Sequence, residues 1–169
     1  GQVTVAGFDV ETQSSQVRQN IGVIFQNPSL DINLTAEENL RVYAGLYDLY
    51  TYWPHYGLMA SGYKKMVDEL VSLIGLEEEL HKPVKTFSGG MKRKLEIIRS
   101  LMHQPKILFL DEPTTGLDPL SRNQLWECLR EKVIKERETT IFLTTHYLQE
   151  AEKASQVVII DKGQVVMSG

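Results

Sequence analysis

Asp111 and Glu112 are adjacent carboxylates that close an apolar run, Ile107-Leu108-Phe109-Leu110. Neighbouring acids repel, and each needs solvation or a cation. An apolar run of this length reads as a strand buried on both faces, the kind found in parallel sheets. Open parallel sheets bind ligands just beyond the carboxyl ends of their strands. The pair therefore stands where such a fold does its chemistry. Two other apolar runs also end in a polar residue suited to handling a phosphate or a water. Ile21 to Phe25 ends at Gln26, and Thr140 to Thr145 ends at His146. Alone, Gln26 reads as a turn residue and His146 as a structural histidine. Together at strand ends they read as a site.

Ser88-Gly89-Gly90 opens a predicted helix. A helix N-terminus carries unpaired N–H groups and about half a positive charge, and glycines let a ligand approach the backbone, so it suits an anion such as a phosphate. Lys92, Arg93 and Lys94 follow in the first turn. They oppose the helix dipole unless an anion or acidic partner sits there. The plainer reading is a glycine-rich helix start with a solvated basic face.

The positioning elements follow from periodicity and punctuation. Gln2 to Val5 alternates as a half-exposed strand, and Gly7 turns the chain into a hairpin. Ser14 to Asn20 reads as a short helix. Pro28 stops the strand before it. Thr35-Ala36-Glu37-Glu38 is a capping box, and the helix it opens places Leu40, Tyr43, Ala44 and Tyr47 on one side. Asp48 to Gly62 is rich in aromatics. A second helix from about Tyr63 sets Met66, Val67, Leu70 and Ile74 at helical spacing and stops at Gly75. Ser88 is the N-cap of the next helix, whose apolar face is Met91, Leu95, Ile98 and Met102, and Pro105 ends it. Asp118-Pro119 starts another helix, running to about Glu136 and burying Leu125, Leu129 and Val133. A short acidic helix, a strand Val157 to Ile160 and a last strand Val165 to Met167 complete the chain.

Bulk properties narrow the class. The 169 residues hold 42% hydrophobic and 24% charged residues, with a net charge of −4. That balance fits one globular domain and argues against a general nucleic-acid coat. The sequence holds no run of about 18 apolar residues of the kind that spans a bilayer. The single cysteine, Cys128, excludes an internal disulfide framework and reads as core filler. The chain begins without methionine, already in strand-like alternation, which reads as the middle of a domain.

FSGGMKRK resembles the signature motif of the ATP-binding cassette (ABC) ATPases. ILFLDE is similar to their Walker B strand, TTGLD to their D-loop, Gln26 to their Q-loop glutamine and His146 to their switch histidine. The resemblance covers essentially the whole chain. INLTAEENL, EPTTGLDPLSR and TTHYLQEAE resemble the multidrug and sodium exporter type. The fold implied is α/β: a P-loop NTPase-like, mainly parallel sheet flanked by helices, with a helical signature subdomain over about residues 35–104 and a small antiparallel part. Residues 1–169 then form one partial nucleotide-binding domain.

Carried onto this sequence, the resemblance implies Mg2+ and ATP. Asp111 would hold the magnesium through a water. Glu112 would activate the attacking water. Gln26 would sense both and signal to a membrane partner, and His146 would contact the γ-phosphate. Ser88, Gly89 and Gly90 would bind the γ-phosphate of ATP held by a second nucleotide-binding subunit, with Asp118 across that junction. The implied partners are that subunit, identical or different, and a transmembrane permease subunit or domain, not nucleic acid. The implied location is cytoplasmic, peripheral at the inner face of the membrane.

The sequence departs from the family in one large respect. It contains no G-x-x-x-x-G-K-[ST], the loop that cradles the phosphates. Truncation is the expected reason, with natural degeneration as the other reading, and the chain alone is expected to bind ATP poorly. Residues 48–62 look longer and more aromatic than the family's usual link, either as a contact for a membrane partner or as an insertion packed on its own subdomain. Arg99 replaces a small residue, and Ser155-Gln156 stands where an Asp is usual. The rival functions are a soluble translation or repair ATPase and a degenerate regulatory cassette.

Overall fold

The computed structural model describes residues 1–135 and 138–169. Its centre is a parallel sheet of three strands in the order β3-β4-β5, where β3 is Ile21–Ile24, β4 is Ile107–Asp111 and β5 is Thr140–Thr144. Ile24 pairs with Leu110, Leu110 with Leu143 and Asp111 with Thr144. Parallel strands in this register finish at one edge, so the segments after them meet there. Two antiparallel hairpins flank this sheet in the sequence. They are β1 (Thr4–Val5) with β2 (Phe8–Asp9), and β6 (Val158–Asp161) with β7 (Gln164–Ser168).

One face of the sheet is packed. Helix α1 is Ser14–Asn20, α2 is Ala36–Leu46, α3 is Ser61–Ile74 and α4 is Gly89–Leu101. Buried residues of α2, α3 and α4 join Leu108 and Leu110 of β4 in one apolar cluster. Helix α5 (Pro119–Glu127) continues as π-helical turns over Cys128–Lys135 and adds Leu125, Leu129 and Val133 to that cluster. Cys128 is buried there, as expected of core filler. Glu136, the expected end of this helix, lies outside the described residues.

The central strand departs from the expectation of two buried faces. Leu108 and Leu110 are buried, but the neighbouring strands expose Val23 (40%) and Phe142 (59%) on the other side. A strand's side chains alternate between faces, and the helices that supply apolar cover lie on only one of them. Phe109 and Phe142 meet on the open face at 5.4 Å between rings.

Local chemistry explains the helix ends. The Thr35 hydroxyl accepts from Glu38 N at 3.1 Å and Glu38 Oε2 accepts from Thr35 N at 2.8 Å, a complete capping box. Those backbone and side-chain donors hold the Glu38 carboxyl below its ordinary range. Gly75 ends α3 with a φ of 66°, a left-handed conformation that glycine adopts without strain. Gly22 lets β3 lie close under α4: a Cβ there would sit 2.7 Å from Leu108 Cδ1 and 3.1 Å from Ser100 O.

The aromatic stretch packs in part on its own helices and leaves Tyr52 and Trp53 exposed. Tyr50 and Tyr56 meet Tyr63 of α3 edge-on at 5.8 and 6.3 Å, and the Trp53 carbonyl accepts from Arg41 Nη1 at 2.8 Å.

Candidate functional site

Gln26, Glu112 and His146 converge at the carboxyl edge of the parallel sheet. Gln26 Nε2 donates to Glu112 Oε2 at 3.2 Å, although 86 residues separate the two in sequence. His146 Nδ1 lies 3.3 Å from Glu112 Oε1. Thr115 Oγ1 also donates to Glu112 Oε2, at 2.9 Å. Asp111 accepts from Thr144 Oγ1 at 2.5 Å, across the β4–β5 pairing. The site is open to solvent: Gln26, Asp111 and His146 are exposed.

Glu112 stands in a strained backbone conformation, with a φ of 44°. A left-handed turn is unusual for a residue with a Cβ, and persists where surrounding bonds impose it. Here Glu112 N donates to Thr144 O at 3.1 Å. The turn places the Asp111 and Glu112 side chains in different surroundings, Asp111 beside Thr144 and Glu112 between Gln26 and His146.

A second cluster forms at the start of α4. Ser88 Oγ accepts from Met91 N at 3.2 Å, as an N-cap should. A Cβ on Gly90 would sit 3.0 Å from Ser121 Oγ, so glycine here allows α4 and α5 to approach. Ser121 Oγ donates to Asp118 Oδ2 at 2.6 Å and Ser121 N to Asp118 Oδ1 at 3.0 Å. These donors, the hydroxyl first, hold the Asp118 carboxyl below the usual carboxylate range. Ser88, Gly89, Gly90 and Asp118 thus share one corner, beside the Glu112 cluster rather than within it.

The basic face expected over residues 92–94 is corrected at its middle position. Arg93 is only 5% exposed and Glu96 is 1%. They pair at 3.1 Å. The signal was present as an i, i+3 pair of opposite charge, but the run Lys92-Arg93-Lys94 masked it. Glu150 was also missed. It is buried in the short helix α6 (Leu148–Ala151), where Thr114 Oγ1 donates to its Oε1 and Thr145 Oγ1 to its Oε2, the latter at 2.6 Å. It ties the segment after Glu112 to the residue before His146. Arg99 also has a structural account. Its guanidinium donates to Ser29 O at 3.0 Å and Ser29 Oγ at 2.5 Å, and lies 5.4 Å from the centre of the Tyr43 ring.

Among the described residues no group of three or more His, Cys, Asp or Glu is arranged to hold a metal ion. The hard oxygens of Asp111 and Gln26 nonetheless suit magnesium, which keeps several waters and takes one or two carboxylates plus substrate phosphates.

The architecture is that of a P-loop ATPase. It matches the ATP-binding cassette MJ0796, a dimer bound to ADP and Pi, with a TM-score of 0.80 over 100% of this chain and 72% of that chain, at 23% identity. It matches cbiO1 from Clostridium perfringens, part of the cbiONQ transporter complex, with a TM-score of 0.82 over 98% of this chain and 64% of that one, at 26% identity. The sequence profile of the ABC transporter family matches residues 1–115, and the chain belongs to that family. Similar proteins include the linearmycin resistance ATP-binding protein LnrL of Bacillus subtilis, 36% identical over 100% of this chain and 51% of that protein. The daunorubicin/doxorubicin resistance ATP-binding protein DrrA of Streptomyces peucetius is 41% identical over 100% of this chain and 48% of that protein. The Nod factor export ATP-binding protein I of Burkholderia pseudomallei is 37% identical over 100% of this chain and 52% of that protein. The chain thus spans about half the length of these relatives.

Proposed function

We propose that this chain is part of the nucleotide-binding domain of an ABC-type exporter, with residues 35–104 as its helical subdomain, and that it contributes the hydrolytic half of an ATPase site. The observation that carries this reading is the convergence of Gln26 and His146 on Glu112. A carboxylate with one oxygen held by two donors and a histidine beside the other is a suitable base for one positioned water. Phosphoryl transfer is mostly positioning and charge stabilisation, so its groups can be drawn from three strand ends.

In this mechanism Glu112 orients the attacking water and accepts its proton. Gln26 and Thr115 donate to Oε2 of that carboxylate, and His146, 3.3 Å from Oε1, stands beside it to contact the γ-phosphate. Asp111 and Gln26 would hold Mg2+, which when bound neutralises phosphate charge. The N-terminus of α4, at Ser88-Gly89-Gly90, takes the γ-phosphate of ATP bound to a second subunit, and Asp118 lies at that junction. The reading includes a second nucleotide-binding subunit and a transmembrane permease subunit or domain, docked from the cytoplasmic side of the membrane. The names of the drug-resistance and Nod factor relatives support export. No helix among the described residues is long and apolar enough to cross a membrane.

The test is Mg-ATP turnover by the protein at its native length. Glu112→Gln is expected to lower kcat by about 10²–10⁴ while ATP still binds and holds a dimer. Unchanged turnover in that variant would remove Glu112 from the chemistry.

A further inference from the structure

Arg93 makes five hydrogen bonds. Its Nε donates to Pro113 O at 2.9 Å, Nη1 to Phe25 O at 2.6 Å and to Glu96 Oε2 at 3.1 Å, and Nη2 to Asp111 O at 3.0 Å and Glu112 O at 3.4 Å. A guanidinium has five N–H donors in a fixed fork, so every donor is used. Four of the acceptors are backbone carbonyls at the ends of β3 and β4. Three belong to Asp111, Glu112 and Pro113, the turn that carries the strained Glu112. The fourth belongs to Phe25, immediately before Gln26.

Glu96 extends the grip. Its Oε1 accepts from Ser29 N at 2.7 Å and from Ser29 Oγ at 3.4 Å. The loop bearing Gln26 is therefore held by α4 at both ends, at Phe25 through Arg93 and at Ser29 through Glu96. The same helix begins at Ser88-Gly89-Gly90. Arg93, one turn in, is the physical link between the two clusters of the site. A buried pair of charges is an expensive way to gain stability alone, because desolvation offsets much of the attraction.

We propose that Arg93, with Glu96 as its buried counter-charge, is a positioning residue: it couples the start of α4 to the loop ends that carry Gln26 and Glu112. Its catalytic consequence rests on the ATPase reading above; its structural consequence does not. A lysine has three donors on a point-like head and cannot reproduce the fork.

The experiment uses the native-length protein, wild type against Arg93→Lys and Glu96→Gln. Two quantities are measured: amide hydrogen exchange without nucleotide, and kcat and KM for Mg-ATP. In Arg93→Lys, exchange at residues 25–30 and 111–116 is expected to rise about tenfold while residues 61–74 keep their protection. The same variant should lose roughly 10- to 100-fold in kcat, as a small misplacement of reacting groups does, with KM changed little. Glu96→Gln keeps the side chain's shape and should loosen residues 25–30 more than 111–116, which decides the matter if Arg93→Lys does not fold. Faster exchange across residues 61–74 as well would reduce the pair to general stability and overturn the proposal. So would unchanged exchange at both loop ends, or a raised KM with kcat intact. If the wild type does not hydrolyse ATP, the ATPase reading falls, and the exchange measurements alone decide the positioning role.

Discussion

His103 lies half-buried just past the end of α4, stacked on Tyr47 at 4.5 Å between rings. Its Nε2 sits 2.9 Å from Ile21 O, at the first residue of β3. That bond puts the proton on Nε2 and leaves Nδ1 to accept from the Tyr43 hydroxyl at 3.4 Å. Burial pulls its pKa below the ordinary value of 6.5, and the Ile21 carbonyl only partly opposes this. As pH falls, the unfolded chain therefore takes up the proton first. The stability tied to neutral His103 is complete above about pH 6.5 and is lost as pH falls through the lower folded value. The melting temperature should drop between about pH 7.5 and pH 5, and His103→Gln should flatten that part of the curve. A variant with the wild-type pH slope would assign the dependence to other groups. None of this was legible in the sequence, where His103 follows an apolar helix face and has no visible partner.

At the scale of elements, α2 shows how polar residues can specify packing. Its apolar side was legible, and Leu40 and Ala44 are fully buried. Glu37 and Arg41 on the same helix are buried too, at 2% and 4% exposure, and pair at 3.0 Å. Tyr63 of α3 donates to Glu37 Oε1 at 2.9 Å, and Arg41 reaches Trp53 O in the aromatic stretch. The Tyr63 hydroxyl is pushed up by burial and by the Glu37 charge, so it remains a donor. One ion pair thus ties α2 to Tyr63 of α3 and to Trp53 of the aromatic stretch. Removing one partner leaves an uncompensated buried charge, so Glu37→Ala should cost about 3–5 kcal/mol in urea unfolding. A loss under about 1 kcal/mol would mean the pair is hydrated in solution. Helical spacing alone could not reveal this pair, because charges at i, i+4 are ordinary on exposed helix faces.

Across the 169 residues taken together, the uneven cover of the central sheet is the broadest feature. The helices pack one face, while Val23, Phe25 and Phe142 are exposed on and beside the other strands. Val158, Ile160, Val165 and Met167 of the β6–β7 hairpin are exposed as well. Exposed apolar side chains clustered on a sheet face mark association sites or aggregation hazards. The 169-residue chain should therefore self-associate at roughly tens of micromolar, measured by light scattering after size exclusion, and Phe142→Lys should reduce it. A chain that stays monomeric at those concentrations would show that the face tolerates water.

The sequence by itself determined the elements, their caps, the parallel sheet class and the residues at the three strand ends, because apolar periodicity and capping chemistry act over a few residues. Gln26, Glu112 and His146 were legible because each interrupts an apolar run where a parallel sheet opens to solvent. Only the tertiary structure decided that Gln26 and His146 share one carboxylate, since strand register joins residues 86 positions apart. It also decided that Arg93 is buried and spends every donor inside, while its neighbours Lys92 and Lys94 are not buried. Three consecutive basic residues point in three directions from a helix, and which direction meets a neighbour is settled by packing, not by residue type.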